Sequence, residues 1–383
     1  MICGIIAEYN PFHNGHAYHI GQIRTNDSDG IICVMSNNWV QRGEPAVAEG
    51  HLRAEIAVKN GVDLVIALPA RYSIASAEDF AYGGVYLLNA LGIVDSLSFG
   101  SENGSVEYLN DIYNKINIIE DRKLIKKYMT LGITFPKARQ MALNEIGFNE
   151  DFNKPNNILG VEYIKALNKL NSPIKPRTFK RIGDYHDIYG QNEYMSASAI
   201  RELIYKRHDF NGPMPENAYK MLQNNSVIDD LLIFERLLLA FFRTCKPIDL
   251  SDIYAIREGL EHRLIKASQT AKSLEEFYMI AKSKRYTLST IRRAALCAFL
   301  GIKKTLEEPK YIHVLAFNDK GRQFLSQIKK TSILPVIHSY SHNNSSEIQK
   351  IMDEERKYTD IYALLGKNIE NSYKDFTISS IYV

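Results

Sequence analysis

Cysteine is scarce in this 383-residue chain: four residues, at 3, 33, 245 and 297, with no CxxC pair among them. That arrangement supports neither a zinc ribbon nor a dithiol redox motif. Cys3 and Cys33 sit inside apolar runs and read as small buried hydrophobes, which suits a reducing, cytoplasmic setting. Long hydrophobic runs are missing as well. The stretch LLIFERLLLAFF is broken by Glu235 and Arg236 and cannot supply a clean membrane span. The opening MICGIIAEYNPFHNG lacks the basic start and long apolar segment of a secretory signal. Excess charge of one sign is absent too. Forty-seven Lys plus Arg against 44 Asp plus Glu give +3, a total that singles out no partner. A local basic patch stays open, because nucleic-acid binding needs a patch and not a high total. The chain carries no repeat and no low-complexity tract, and a soluble protein with no membrane segment is expected.

What is present is a regular alternation over the first hundred residues. Apolar runs at 2–7, 30–36, 62–68 and 94–99 read as strands, and 49–59 and 76–91 read as helices between them. Strands interleaved with helices at this spacing indicate βα units and a parallel sheet with both faces covered. Residues 105–170 look mainly helical, with a polar break at NEDFNKPNN, and a short stretch at 179–182 follows. Beyond Met195 the apolar spacing turns strongly helical, at 227–243, 251–268, 271–283 and 288–300. YIHVLAF (311–317) and SILPVIH (332–338) read as strands whose place, on the helical part or in the main sheet, periodicity does not decide. The expected fold is α/β. A Rossmann-like domain over 1–200 is followed by a mainly helical domain over 201–383, with the boundary near 190–210.

The informative segment runs Gly4-Ile5-Ile6-Ala7-Glu8-Tyr9-Asn10-Pro11-Phe12-His13-Asn14-Gly15-His16. A strand ends, a turn follows, and two histidines bracket an Asn-Gly where a helix begins. The helix start offers unpaired N–H groups and a partial positive charge, a natural phosphate seat, and Gly15 lets the backbone come close to a ligand. His13 and His16 can donate to phosphate oxygens and stabilise charge building on phosphorus and on a departing pyrophosphate. His19 falls on the same helical face as His16. Capping or surface pairing is the bland alternative for such histidines. Three close histidines would also suit a metal, but HxxH places ligands less well than HxxxH and no cysteine joins them, so no metal site is expected.

HxGH in the first βα loop is the signature of the nucleotidylyltransferase superfamily. The longer string AEYNPFHNGHAYHI resembles one family within it, the bacterial tRNA(Met) cytidine acetate ligases. FGSE (99–102), PNNILGVEYIKAL (155–167), KRIGDYHD (180–187), SASAIRELI (196–204) and KRYTLSTIRRA (284–294) extend that resemblance along the whole chain. It implies an HxGH nucleotidylyltransferase domain and an ATP-dependent, AMP- and pyrophosphate-forming ligase. Such an enzyme forms acetyladenylate and passes the acetyl group to N4 of the wobble cytidine, position 34, of elongator tRNA(Met), giving N4-acetylcytidine. ATP, with Mg²⁺ as its companion, acetate and elongator tRNA(Met) are the implied cofactor and partners, and tRNA modification in the cytoplasm the implied setting.

The resemblance makes His13 and His16 catalytic and spreads the ATP contacts over Ala7, Glu8, Tyr9, Asn10, Pro11, Phe12, His13, Asn14, Gly15, His16, Ala17, Tyr18, His19 and Ile20. Gly100, Asn157 and Arg181 would add nucleotide contacts. Gly100 also reads as a plain turn glycine, and Asn156 and Asn157 are hard to separate, since either suits a helix cap. Ser196-Ala197-Ser198-Ala199-Ile200-Arg201 resembles the second superfamily signature. Ser198 is the expected N-cap, with Arg201 in the first helical turn, and Ser196, Ser198 and Arg201 would hold the triphosphate. An arginine near a helix start is slightly unfavourable unless an anion compensates.

Basic residues cluster twice, at Lys175, Arg177, Lys180 and Arg181, and at Lys282, Lys284, Arg285, Arg292 and Arg293 beside Tyr286. Such groups are often only solvated faces, but phosphate contact and base stacking need them. With the resemblance, the second group becomes the expected tRNA contact. Two rivals remain: a nucleotidylyltransferase making a small cofactor precursor, and a non-catalytic RNA-binding protein. No residue stands out as general base for the cytidine amine.

Overall fold

The structure, a computed structural model, describes residues 1–25, 28–148, 154–181, 193–257, 259–305, 307–340 and 345–383. The uninterrupted apolar runs form strands buried on both faces, among them β1 (Ile2–Ala7) and β2 (Gly30–Ser36). The two-residue β3 (Trp39–Val40) and β4 (Glu44–Pro45) follow, then the apolar β5 (Leu64–Leu68) and the Ser-rich β6 (Ser96–Ser101). β7 (Lys175–Lys180), β8 (Ile312–Phe317), β9 (Val336–Ile337) and β10 (Ile381–Tyr382) complete the set. The main sheet runs β10-β8-β5-β2-β1-β6-β7, with β9 on β8. Its five strands from β5 to β7 are parallel, as the βα alternation requires.

β8 makes the sheet mixed, because it lies antiparallel against β5. Short βα units force a parallel return, whereas a chain coming back from a long helical excursion meets no such constraint. The strands at 311–317 and 332–338 therefore belong to the first sheet. A boundary near residue 200 divides the chain in sequence but leaves strands from both sides in one sheet. Lys175, Arg177 and Lys180 lie exposed on β7, where charge blunts a free edge. The remainder of the 179–182 stretch, the KRIGDYHD block from residue 182, and residues 149–153 of the polar break lie outside the described residues.

Helices follow the apolar spacing closely where caps define them. Ala77–Leu91 starts on Ser76, whose side chain accepts from Asp79 N–H, and stops at Gly92 in the left-handed region. The helix expected at 251–268 begins only at Leu260, after Gly259 at φ +81°. Leu250, Ile253 and Ile256 are buried as their spacing demands, but Ile253 bridges to Lys303 and Tyr254 N–H donates to the Ile302 carbonyl. Tertiary pairing has overridden the helical period there. Helices Leu232–Thr244, Leu260–Thr270, Leu274–Ala281 and Leu288–Leu300 share a core of their own with Trp39 and Tyr362. No helix among the described residues is long and apolar enough to cross a membrane.

The hairpin β3–β4 joins the two regions. Trp39 is buried in the helical core and its indole N–H donates to the Tyr358 carbonyl at 3.1 Å, while residues 41 and 42 at its turn face the ends of the parallel strands. Arg53, buried on the helix Gly50–Lys59, fixes the base of this loop. Its guanidinium donates to the carbonyls of Ala48 (2.8 Å), Ser36 (2.9 Å), Asn37 and Glu8. Burial lowers its pKa to about 10, which leaves it a cation at neutral pH.

Arg53→Met would strand those four carbonyls. The expected loss is roughly 3–5 kcal/mol, on the order of 1 kcal/mol for each unmet acceptor, read as a lower urea midpoint. Arg53→Lys should recover less than half of it, since an ammonium cannot reproduce the planar fork.

Candidate active site

A cleft of about 300 Å³ opens beyond the carboxyl ends of β1 and β6, where ligands bind in open α/β sheets. Ala7, Glu8, Tyr9, Asn10, His13, His16, His19, Gly100, Arg181, Ser196, Ser198 and Arg201 line it, so four separated parts of the sequence meet at one place. Pro11, Phe12, Asn14, Gly15, Ala17, Tyr18, Ile20 and Asn157 do not line it. Phe12 and Ile20 are core residues. Asn14 donates from its side chain to the carbonyls of Glu193 and Gly212.

The turn after β1 is wired through its histidines. His13 Nδ1 accepts from Gly15 N–H at 3.1 Å, and His16 Nδ1 accepts from His13 N–H at 3.2 Å. With each Nδ1 acting as acceptor, the proton of each neutral ring sits on Nε2, and Nε2–H is the donor each ring has to offer. The rings stack with centroids 3.7 Å apart. Burial first, then the charges of Arg181 and Arg201, lower the His13 pKa to about 3. Burial and the neighbouring His13 hold His16 well below its usual value. His19, bonded to Ser98 Oγ at 2.8 Å, is lowered to about 4 by burial and Arg181.

This wiring corrects three expectations. The first N–H groups of the helix Asn14–Thr25 are not unpaired. Asn14 N–H donates to Pro213, Gly15 N–H to His13 Nδ1, and the N–H groups of His16 and Ala17 to the His13 carbonyl. Gly15 has a use within the turn itself: a Cβ there would lie 2.9 Å from His13 Cε1, so the glycine makes room for the imidazole. At the second signature, Ser196 and not Ser198 is the N-cap, accepting from Ala199 N–H at 3.2 Å. Arg201 consequently lies past the first turn. Its Nη1 donates to the Asn10 carbonyl at 2.8 Å, and its Nη2 lies 3.1 Å from Glu44 Oε1, so a protein carboxylate already faces it.

Asn156 and Asn157 now separate. Asn156 lines the cleft and accepts from Arg181 at 2.8 Å, whereas Asn157 is buried and its side-chain oxygen accepts from Glu102 N–H. Gly100 accommodates Arg181, whose Cγ would lie 2.9 Å from a Cβ at residue 100. Sequence reasoning missed Gln41, Arg42 and Tyr163 in the lining. The available signal was position: residues 37–49 leave the carboxyl end of β2. The described lining residues include three arginines, Arg42, Arg181 and Arg201, against one carboxylate, Glu8. Burial raises the Glu8 pKa, partly offset by the Gln41 N–H bond at 2.7 Å and the nearby arginines. The cleft suits a polyanion.

The family described as HIGH Nucleotidyl Transferase matches residues 1–376. The chain belongs to that family. Among its relatives, the tRNA(Met) cytidine acetate ligase of Thermoanaerobacter sp. is 40% identical over 98% of both chains. That of Clostridium perfringens is 38% identical over 99% of both. The crystal structure of Thermotoga maritima TmcAL (apo, form I) superposes with a TM-score of 0.91 at 32% identity, covering 100% of this chain and 99% of that one. The same protein bound with alpha-thio ATP (form II) gives 0.88 at 32% identity, with the same coverage. In this HIGH nucleotidyl transferase the second basic group is divided. Lys282, Lys284 and Arg285 are exposed, while Arg292 lies partly buried 5.4 Å over the Tyr278 ring and burial lowers the Arg293 pKa.

Gly15→Ala is expected to leave thermal stability nearly unchanged, because alanine favours a helix, yet to displace His13 and slow nucleotidyl transfer roughly 10- to 100-fold. Parallel melting and rate measurements check this. A pH effect also follows. Unfolded histidines protonate near 6.5, but folded His13 and His19 do so only near 3 and 4. Between those values the unfolded state holds the extra protons, so their contribution is intact above about pH 6.5 and is lost on acidification. Each such histidine removes up to about 1.4 kcal/mol per pH unit. His19→Asn should therefore lose stability less steeply than wild type between pH 6.5 and 4.5, as read from urea midpoints.

Proposed function

We propose that this chain uses ATP to activate acetate and transfers the acetyl group to N4 of the wobble cytidine, position 34, of elongator tRNA(Met), giving N4-acetylcytidine. The observation that carries the reading is the His13–His16 pair, two neutral imidazoles with Nε2–H donors in a cleft that also holds three arginines. Relatives named for that activity, alike over nearly the full chain, support the choice of acid and RNA.

In the first step an acetate oxygen attacks the α-phosphorus of ATP. The bond to the β-phosphate oxygen breaks and its electron pair leaves with pyrophosphate. His13, His16, Arg181 and Arg201 stabilise the charge on the transferring and leaving oxygens without changing protonation state. The remaining protein contribution is alignment. In the second step the cytidine N4 amine attacks the acetyl carbon, the bond to the phosphate oxygen breaks, AMP leaves and the amine gives up a proton. The amine is a poor nucleophile because its lone pair is delocalised into the ring, which is why acetate is activated first.

Mg²⁺ usually keeps several waters and is held through substrate phosphates. The cleft's one carboxylate is engaged by Gln41 N–H, and no group of three metal-ligating side chains occurs among the described residues. The described residues of the cleft therefore do not fit a resident ion, and no step is assigned to one. The exposed Lys282, Lys284 and Arg285 are the RNA contacts in this reading. Arg292 and Arg293 turn inward. An anticodon loop is single-stranded, so little unpairing energy is needed to present its cytidine.

The test is acetate-dependent ATP–pyrophosphate exchange, followed by nucleoside mass spectrometry of tRNA(Met) incubated with ATP and acetate. Wild type should exchange with acetate and yield N4-acetylcytidine, and His16→Ala should lower exchange roughly 100- to 1000-fold while remaining folded. Exchange supported by a nucleotide-like acceptor and not by acetate would overturn the reading.

A further inference from the structure

We infer that Glu44 is a positioning residue with two alternative arginine partners, Arg201 in the cleft and Arg292 on the helix behind it, and that nucleotide phosphates exchange one for the other. The inference rests on the proposed nucleotide site, since it assigns Arg201 to the phosphates. Glu44 stands in β4, in the hairpin that separates the cleft from the helical core. Its Oε1 is 3.1 Å from Arg201 Nη2, but the oxygen is buried and makes no aligned hydrogen bond among the described residues. The pair is a charge contact only, weaker than a forked arginine–carboxylate bond.

The residue before Glu44 packs directly on the backbone of Arg292. Gly43, at φ +80°, presses on the helix Leu288–Leu300 so tightly that a Cβ there would lie 2.6 Å from the Arg292 carbonyl carbon. Arg292 Nε is buried and has no acceptor among the described residues, and its guanidinium lies over the Tyr278 ring. Tyr278 feels the charges of both Arg292 and Glu44, and Tyr205 those of Glu44 and Arg201. The hydroxyls of both tyrosines are buried without a hydrogen bond among the described residues. An acceptor short of donors and a donor short of acceptors thus flank one turn of hairpin. Unmet groups of this kind in a folded interior are costly and need an explanation.

A second arrangement supplies it. Phosphate oxygens compete with Glu44 for Arg201 by charge-assisted hydrogen bonding, and their negative charge repels the carboxylate. Glu44 then turns to Arg292 Nε. The new pair forms only in the loaded state, so its stabilisation counts toward nucleotide affinity. Arg292 does not line the cleft, yet its removal is felt there.

The experiment is equilibrium dialysis of ATP against the full chain, without acetate or RNA, for wild type, Arg292→Met, Glu44→Gln and the double variant. Arg292→Met should weaken ATP binding roughly three- to tenfold when Glu44 is present and leave it unchanged when Glu44 is glutamine. Arg292→Lys should recover most of the loss. Equal weakening in both backgrounds, or none in the wild-type background, would overturn the exchange. If Glu44→Gln fails to fold by circular dichroism, Glu44→Asp, too short to serve both arginines, takes its place with the same expectation. Absence of ATP binding by wild type would instead overturn the nucleotide reading itself, and the exchange with it.

Discussion

One buried cation holds the working end of this protein in shape. Arg53 donates to the carbonyls of Glu8, Ser36, Asn37 and Ala48, which belong to the loops leaving β1 and β2. A loop carrying several carbonyls into the interior needs a donor for each, and one guanidinium meets them without a carboxylate partner. The His13–His16 turn and the hairpin β3–β4 both start from those loops. Their relative placement is therefore set by a side chain that never enters the cleft.

The cleft shows the complementary economy of charge. Burial first, and then the arginines around it, keep the histidines from protonating, and the neutral histidines leave the arginines as the positive groups. An imidazole that stays neutral donates through Nε2–H without changing the charge balance when substrate enters. Nδ1 fixes the tautomer, because the backbone of the turn uses it as an acceptor. Glycine at 15 is the condition for this arrangement, since any side chain there meets the ring it is meant to free.

The parts of this design legible in the sequence were those written in contiguous residues. The uninterrupted runs that became β1, β2 and β5, and the string around His13 and His16, declare themselves because each is local. At the second signature the N-cap is Ser196 and not Ser198, since a two-residue shift in a Ser-rich helix start leaves no trace in composition. Gln41 and Arg42 gave no periodic signal, because two-residue strands have no period to read. The helix expected from 251 failed for a tertiary reason, the pairing of residues 253 and 254 with 302 and 303. Burial was right there and backbone shape was not. The inward turn of Arg292 is invisible to spacing, since it depends on a tyrosine from another helix.

The antiparallel strand β8 has a consequence for how the chain reaches this state. It pairs Val65 with Ala316, roughly 250 residues apart, and contacts of that separation slow folding. Until they form, β5 presents an open, wholly apolar edge, the kind of surface on which unfinished chains associate. The strand that completes the sheet also conceals its stickiest border.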